Sequence, residues 1–434
     1  ANWLIGAGDD RQAPVDRASK YRIGWVPMGL IDGMFEAQSG FSTTGATVIS
    51  DLEDPYMVPH CILFWRSSTH FLGGLGIIVL FVVLLGQNSA GKALMRTEMP
   101  GPTQDSSSAR MQHAAWLFAG VYIALNVLLA VILKLLGMST FDSICHSFGT
   151  MATGGFSTYN SSLGHFYIED PSKGRIIEYV TILFMTFAGA NFTLLFLAVI
   201  GKPLKMFRDT EFRTYVGFIL FSTLVLMAFG FGSQVREFGS IESGFRNSLF
   251  QVVSVLTTTG FGTADFDGWR EMQRAWLFAL MFIGGCTGST GGGMKVIRHV
   301  LFVKILKIEV EAAFNPNEVR LLKMDGKSVE DQTLRHSILV YAGLVFLLFG
   351  FGFLFVVGVE PATTWGVGSS DKLIDSASAV AATLNNSGPG LGGVGPSENY
   401  GSFSGLSKLL FIWLMMLGRL EIFPILVLFS PKFW

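Results

Sequence analysis

Val255-Leu-Thr-Thr-Thr-Gly-Phe-Gly-Thr-Ala-Asp265 joins a threonine-rich apolar run to a pair of closely spaced glycines. Such a run suits a filter, in which backbone carbonyls replace the water shell of a cation. Glycine permits the necessary backbone path because positive φ costs it almost nothing. Hydroxyls just before it can add oxygen ligands, which suit a hard cation. On its own the stretch reads equally well as a tight turn after a buried helix.

Repetition separates the two readings. Phe35-Glu-Ala-Gln-Ser-Gly-Phe-Ser-Thr-Thr-Gly45, Cys145-His-Ser-Phe-Gly-Thr-Met-Ala-Thr-Gly-Gly155 and Ser378-Ala-Val-Ala-Ala-Thr-Leu-Asn-Asn-Ser-Gly388 align without gaps with Phe250 to Gly260. The four glycines, Gly45, Gly155, Gly260 and Gly388, are spaced by roughly 110 residues, which is a whole helix–loop–helix module and too long for a solenoid repeat.

The chain has 434 residues, 50% of them hydrophobic and 15% charged, with 39 Phe and 51 Gly. Soluble domains carry about a quarter charged residues. That deficit, a mean hydropathy of +0.48 and long apolar runs indicate an integral membrane protein. The net charge of −1 by itself says nothing about nucleic acid, and no nucleic-acid partner is expected. Cys61, Cys145 and Cys286 are far apart and form no disulfide or zinc pattern.

In chain order, a short helix fits Ile31–Thr43 and is too short to span a bilayer, so it reads as re-entrant. His60–Gly86 spans. Residues 87–113 form a polar loop and Ala114–Gly137 spans. Ser139-Thr-Phe-Asp142 opens a second short helix with a Ser or Thr N-cap. Ile176–Ile200 spans, and a basic loop leads to the uncharged span Tyr215–Phe231. A third short helix fits Glu242–Thr257. The apolar segment from Ala275 is interrupted by Gly284-Gly285-Cys286-Thr287-Gly288-Ser289-Thr290-Gly291-Gly292-Gly293 and resumes as a basic helix near Met294–Glu309. Ser337–Val359 spans, Asp371 opens the fourth short helix, and Leu409–Phe429 closes the chain.

The expected fold is therefore an all-α integral membrane protein with four pseudo-symmetric helix–pore loop–helix repeats around one central ion pore. Residues 1–86 form repeat 1, 87–200 repeat 2, 201–325 repeat 3 with its interrupted inner helix, and 326–434 repeat 4. Repeat 1 has a pore loop and inner helix but no outer helix, so a preceding helix is expected outside this sequence. Non-helical backbone at membrane depth is tolerated only where it is buried in protein or lines a water-filled cavity, which a four-repeat pore supplies.

Lysine and arginine are denser in residues 87–113, 201–213, 294–335 and 430–434 than in the opposite loops, so these segments are expected on the cytoplasmic side, with the filter mouth outside. The outer loops carry more acid than base. An acidic mouth concentrates cations, although acidic loops also simply keep an exterior soluble.

The expected cation-binding residues are Thr43, Thr44 and Gly45; Thr153, Gly154 and Gly155; Thr258, Thr259 and Gly260; and Asn386, Ser387 and Gly388. Each short helix would present its partly negative C-terminus to a dehydrated monovalent cation. Because these flanks differ, the filter should be less regular than a homomeric one.

The chain resembles the TrkH/KtrB/HKT superfamily of potassium transporters, and TrkH most nearly. The resemblance covers nearly the whole chain. It rests on the four glycines, on Phe282-Ile-Gly-Gly-Cys-Thr-Gly-Ser-Thr-Gly-Gly-Gly-Met-Lys-Val-Ile-Arg298, on Ala381-Ala-Thr-Leu-Asn-Asn-Ser-Gly-Pro-Gly-Leu-Gly392 and on Leu417-Gly-Arg-Leu-Glu-Ile-Phe423. It implies potassium uptake across the plasma membrane (the bacterial inner membrane) through a pseudo-fourfold pore. It also implies a homodimer and a cytosolic nucleotide-binding regulatory ring of the TrkA/KtrA type. Potassium is then the transported ion, with sodium the alternative, and any nucleotide sits on the partner subunit. In the wider family, serine at the first filter position goes with sodium transport.

The run Gly284–Gly293 lacks the Lys-Ser/Thr ending of a phosphate-binding loop and follows no strand pattern. It reads as a loose interhelical kink or, in the favoured reading, as a flexible intramembrane gate below the filter. Arg419 lies mid-helix among Met415, Met416, Leu417, Leu420 and Ile422. A charge at that depth faces a bundle interior or cavity. The resemblance implies a fixed positive charge in the pore that opposes idle cation passage, and the competing reading is a structural ion pair, with Glu178 as a partner. Arg66, His70 and Lys134 read as interfacial or structural. No nucleophile–base or metal-ligand spacing supports an enzyme. A proton-coupled symporter would need a titrating membrane carboxylate, for which Glu178 and Glu421 are the candidates. A receptor without transport would not need four matched glycine loops.

Overall fold

A computed structural model describes residues 4–5, 26–55, 58–87, 107–233, 235–315, 322–324, 327–329, 332–361, 364, 372–420 and 422. The described residues are mostly helical, and their strands are two small antiparallel ribbons, Leu4–Ile5 with Val26–Pro27 and Leu322–Met324 with Lys327–Val329. In chain order the main helices are α1 (Leu30–Phe41), α2 (His60–Gln87), α3 (Ser107–Leu135), α4 (Thr140–Met151), α5 (Pro171–Ala188), α6 (Phe192–Val199), α7 (Thr210–Gly230), α8 (Ile241–Leu256), α9 (Glu271–Leu280), α10 (Val296–Phe314), α11 (Gln332–Val359), α12 (Lys372–Leu384) and α13 (Gly405–Arg419).

Local chemistry explains where these helices start. Ser139 Oγ accepts from the Asp142 backbone N–H at 3.0 Å, so the expected N-cap of α4 forms. Asp170 caps α5 by accepting from Ser172 and Lys173, with Pro171 at the first helical position. Those two amide donors, Lys173 first, hold the Asp170 carboxyl below the usual carboxylate range. Asp209, Ser240 and Ser404 cap α7, α8 and α13 in the same way.

Among the described residues, windows in Ala115–Leu135, Thr210–Gly230 and Arg335–Val359 are long and apolar enough to cross a membrane, and only 22% to 33% of each is buried inside the protein. The rest of these apolar surfaces faces outward, as lipid contact requires. The short helices α1, α4, α8 and α12 are instead packed inside. Phe35 of α1 meets Tyr400 and Phe411 in one core, while Met151, Phe250 and Leu256 of α4 and α8 sit with Tyr122, Leu129, Met185 and Tyr215 in another.

Three boundaries differ from expectation. The run read as one span over Ile176–Ile200 is two helices, α5 and α6, bent by 109°. The break falls at Gly189-Ala-Asn191, where Asn191 Oδ1 accepts from Thr193 N–H at 2.7 Å and so starts a new helix. Helix α3 begins at Ser107, inside the stretch read as a polar loop, and the basic loop before α7 contains a short helix at Leu204–Arg208. The final segment is described as helix to Arg419. Glu421 and the stretch Phe423–Phe429 lie outside the described residues.

Candidate functional site

The four short helices end in one shared backbone conformation. Ser42, Ala152 and Thr257 are right-handed helical caps. The next residues, Thr43, Thr153, Thr258 and, in the fourth loop, Asn386, have φ of 51°, 53°, 58° and 57°. Two residues further on, Gly45, Gly155, Gly260 and Gly388 have φ of 80°, 77°, 82° and 84°. The amides of Thr44, Gly154, Thr259 and Ser387 each reach back five residues, to the carbonyls of Ser39, Gly149, Ser254 and Ala382, at 2.8 to 2.9 Å. This is a Schellman turn built four times.

The left-handed position of such a turn normally holds Gly or Asn. Here three of the four are threonine, a β-branched residue for which the left-handed region is an outlier. The conformation costs each of them roughly 1–2 kcal/mol and persists only where the surroundings over-determine it. Those surroundings are the neighbouring loops. A Cβ placed on Gly45 would strike the Gly154 carbonyl, on Gly155 the Thr259 carbonyl, on Gly260 the Ser387 carbonyl and on Gly388 the Thr44 carbonyl, each inside 3.0 Å. The four contacts run first loop to second, second to third, third to fourth and fourth to first, so they close a ring. All four glycines line a single cavity, together with Arg66, Tyr159, Asn160 and Glu398. Burial and the adjacent Asp142 carboxylate push the Tyr159 hydroxyl up to about 12.

Each short helix is also tied to the chain that leaves its own glycine. Glu36 accepts from Val48 N–H at 3.1 Å, His146 shares a 2.9 Å hydrogen bond with Ser157 Oγ, Gln251 donates to the Ala264 carbonyl, and Ser378 Oγ accepts from Leu391 N–H. The four side chains differ while the brace is repeated.

Residues 284–293 lie against the other side of the left-handed residues. The loop is pinched at its neck by Gly284 N–H donating to the Met294 carbonyl and Val296 N–H to the Gly285 carbonyl, at 2.9 and 3.2 Å. Thr153 Oγ1 donates to the Thr290 carbonyl at 2.8 Å, and Gly292 N–H donates to Thr258 Oγ1 at 2.7 Å. A Cβ on Gly292 would strike Asn386. Thr290 Oγ1 donates toward the Met151 and Ala188 carbonyls, and Lys295 Nζ donates to the Gly291 carbonyl. The α5–α6 break docks here as well: Cys286 N–H donates to the Gly189 carbonyl and Phe192 N–H to the Gly288 carbonyl.

Arg419 Nη1 donates to the Thr290 carbonyl, while its Nε and Nη2 have no hydrogen-bond partner among the described residues. Arg419 therefore touches the loop and is not paired with Glu178. Glu178 belongs to Arg246, which also bonds Glu242 at 3.0 Å and lies over the Tyr167 ring. Arg66 pairs with Glu36 at 2.7 Å, behind the first loop, Lys134 is exposed, and His70 is buried.

Two features of the site escaped the sequence reading. Glu211, at the start of α7, accepts from Thr287 N–H at 2.7 Å and from Ile297 N–H at 3.2 Å with the same carboxylate oxygen. It thus joins the loop to the first turn of α10. His70 packs directly behind Gly154. In the sequence Glu211 shows only as an acidic residue in the first turn of an apolar helix, two places after the N-cap Asp209.

No group of three or more His, Cys, Asp or Glu among the described residues could hold a metal ion. The oxygens on offer are backbone carbonyls and hydroxyls, the donor set of a weakly held hard cation. Apolar membrane-length helices packed together with a ring of glycine loops define an all-helical integral membrane protein.

The chain belongs to the TrkH family, described as cation transport proteins, whose family model matches residues 15–434. It is 38% identical to the Trk system potassium uptake protein TrkH of Halomonas elongata, over 93% of this chain and 79% of that protein. It is 34% identical to the Trk system potassium uptake protein TrkG of Escherichia coli K12, over 93% and 79% of the two chains. The crystal structure of the potassium transporter TrkH from Vibrio parahaemolyticus is similar at a TM-score of 0.79, with 35% identity, 94% of this chain and 79% of that chain covered. The family is one of transporters, not enzymes.

Proposed function

We propose that this chain takes up potassium through a pore whose selectivity filter is the ring of four glycine loops. The observation that carries the reading is the repeated Schellman turn, whose glycines each abut the next loop's carbonyl until the ring closes. A ring of backbone oxygens held by strained residues is pre-organised to replace a cation's water shell. Relatives named as potassium uptake proteins support potassium as the ion. The four modules are residues 1–86, 87–200, 201–325 and 326–434. The filter mouth faces outward and the basic segments face the cytosol.

Residues 284–293 act as the gate and Arg419 holds it closed below the ring. Contact with Thr153, Thr258 and Arg419 supports this assignment. A homodimer and a cytosolic nucleotide-binding ring acting on α10 complete the system, with no cofactor bound to this chain. Lys295, Arg298, Lys304 and Lys307 lie along the helical segment after the loop that such a partner would grip.

The test is Gly45→Ser in the purified full chain reconstituted in vesicles. Sodium flux should rise relative to rubidium or potassium flux. An unchanged ratio in a folded variant would remove Gly45 from the filter.

A further inference from the structure

The middle residues of the four loops are Thr44, Gly154, Thr259 and Ser387. Three carry a hydroxyl behind the ring. Thr44 Oγ1 bonds Ser42 Oγ at 2.7 Å and accepts from Asn386 Nδ2 at 2.8 Å, and Thr259 Oγ1 bonds Thr257 Oγ1 at 2.7 Å. The second loop has neither member of this arrangement, because Ala152 and Gly154 stand where the others have polar side chains.

Gly154 is not required by the backbone. Unlike its neighbour Gly155, it does not have positive φ. What excludes a side chain there is His70, since a Cβ on Gly154 would fall inside 3.0 Å of three atoms of the imidazole ring. His70 comes from α2, the helix that follows the first loop. It is fully buried and stacks on Phe156, the residue after Gly155, with centroids 4.1 Å apart and planes 19° apart. Neither ring nitrogen has a hydrogen-bond partner among the described residues. Burying two polar atoms unpaired is unfavourable, so hydrogen bonding does not account for an imidazole at this place. Its shape and position do.

We propose that His70 is a specificity-determining residue that substitutes for the side chain the second loop lacks. Its ring fills the slot behind Gly154 and fixes the position of the Gly154 and Gly155 backbone in the ring. The Gly154 carbonyl meets Gly45 and Gly155 meets the Thr259 carbonyl, so a shift of this one loop changes both contacts. The inference rests on the ring being the ion filter.

The experiment measures rubidium and sodium uptake by the full chain in vesicles, alongside thermal unfolding. His70→Ala should lower the rubidium-to-sodium ratio about tenfold, the scale of losing a few packed atoms from a specificity site. Gly154→Ser should suppress uptake, because the added side chain meets the ring. The double variant should recover, since the new side chain then occupies the emptied slot. An unchanged ratio in His70→Ala, or a double variant no better than Gly154→Ser, overturns the proposal. If His70→Ala does not fold, the double variant should fold again, and its failure to do so overturns the proposal equally. Gly260→Ser distinguishes the two levels, because Gly260 is in the ring but meets Ser387 and Pro389. A ratio altered by Gly260→Ser and untouched by His70→Ala sinks this inference alone. A ratio untouched by either sinks the filter reading.

Discussion

Two apolar helical segments of this protein are broken, and they are broken differently. The break between α5 and α6 is three residues long and largely looks after itself: Gly189 N–H bonds Met185, Ala190 N–H bonds Phe187, and Asn191 caps the helix that follows. The break between α9 and α10 runs from Met281 to Lys295 and draws its bonds from α4, α5, α7, α13 and the loops after α4 and α8. A short kink can satisfy its backbone locally. A long irregular segment at membrane depth has to find partners elsewhere, and its position then depends on every one of them. Under the proposed gate, the second break is the part whose position its many partners set, and the first is one of those partners.

The strongest way to break this contrast is to shorten the long segment. Removing Gly288–Gly292 should raise partner-free cation uptake by about a hundredfold, the change expected when a 1:99 equilibrium is driven to its open side. Uptake equal to that of the intact chain would put the gate elsewhere.

Next in size is Arg419→Ala. Losing the donor to the Thr290 carbonyl should increase basal flux while the fold is kept, because the arginine has no carboxylate partner among the described residues. Removing half of a buried ion pair would instead cost roughly 3–5 kcal/mol. Flux read beside thermal unfolding separates the two, and lost stability with unchanged flux would return Arg419 to a structural role. Arg246→Ala is the control in which that 3–5 kcal/mol loss is expected, since Glu178 would be left buried and alone.

Glu211→Ala should follow, with a rise in basal flux of about tenfold, equivalent to losing about 1.4 kcal/mol of closed-state preference from charge-assisted bonds. Glu211→Gln keeps an acceptor oxygen and should lie between it and the intact chain. A Glu211→Ala protein as tightly closed as the original would show that the loop and α10 are not coupled through this carboxylate.

The smallest effect sharpens the contrast from its other side. Asn191→Ala removes only a cap and should lower stability by about 1 kcal/mol, with basal flux unchanged within error. Flux that rises as much as in Glu211→Ala would mean that the short break also moves.

The ring itself was legible in the chain because its requirement is local: four glycines, each after a short helix, at a recurring separation. The positive φ of Gly45, Gly155, Gly260 and Gly388 is the physical reason for that pattern. The long break was legible for the same reason, since ten residues of Gly, Ser, Thr and Cys cannot be read as helix. The α5–α6 break was not, because Gly189-Ala-Asn191 is short and sits inside an apolar run that is compatible with an unbroken span. Glu211 and His70 were missed because their roles are defined by distant partners. Glu211 meets an amide 76 residues later, and His70 is interpretable only once Gly154 is known to lie against it.

The closure of the ring also bears on how the protein is made. Its last joint is between the fourth loop and the first: Gly388 abuts the Thr44 carbonyl, and Asn386 bonds Thr44 across 342 residues of sequence. During synthesis the first three loops wait for a partner that emerges only with the residues from Lys372 onward. A nascent chain halted before Lys372 lacks the fourth loop and so cannot close the ring that we propose as the filter. Such fragments should leave vesicles ion-tight when inserted, which a dye-coupled leak assay can read. The membrane would then be protected from half-built pores by the order in which the chain is written.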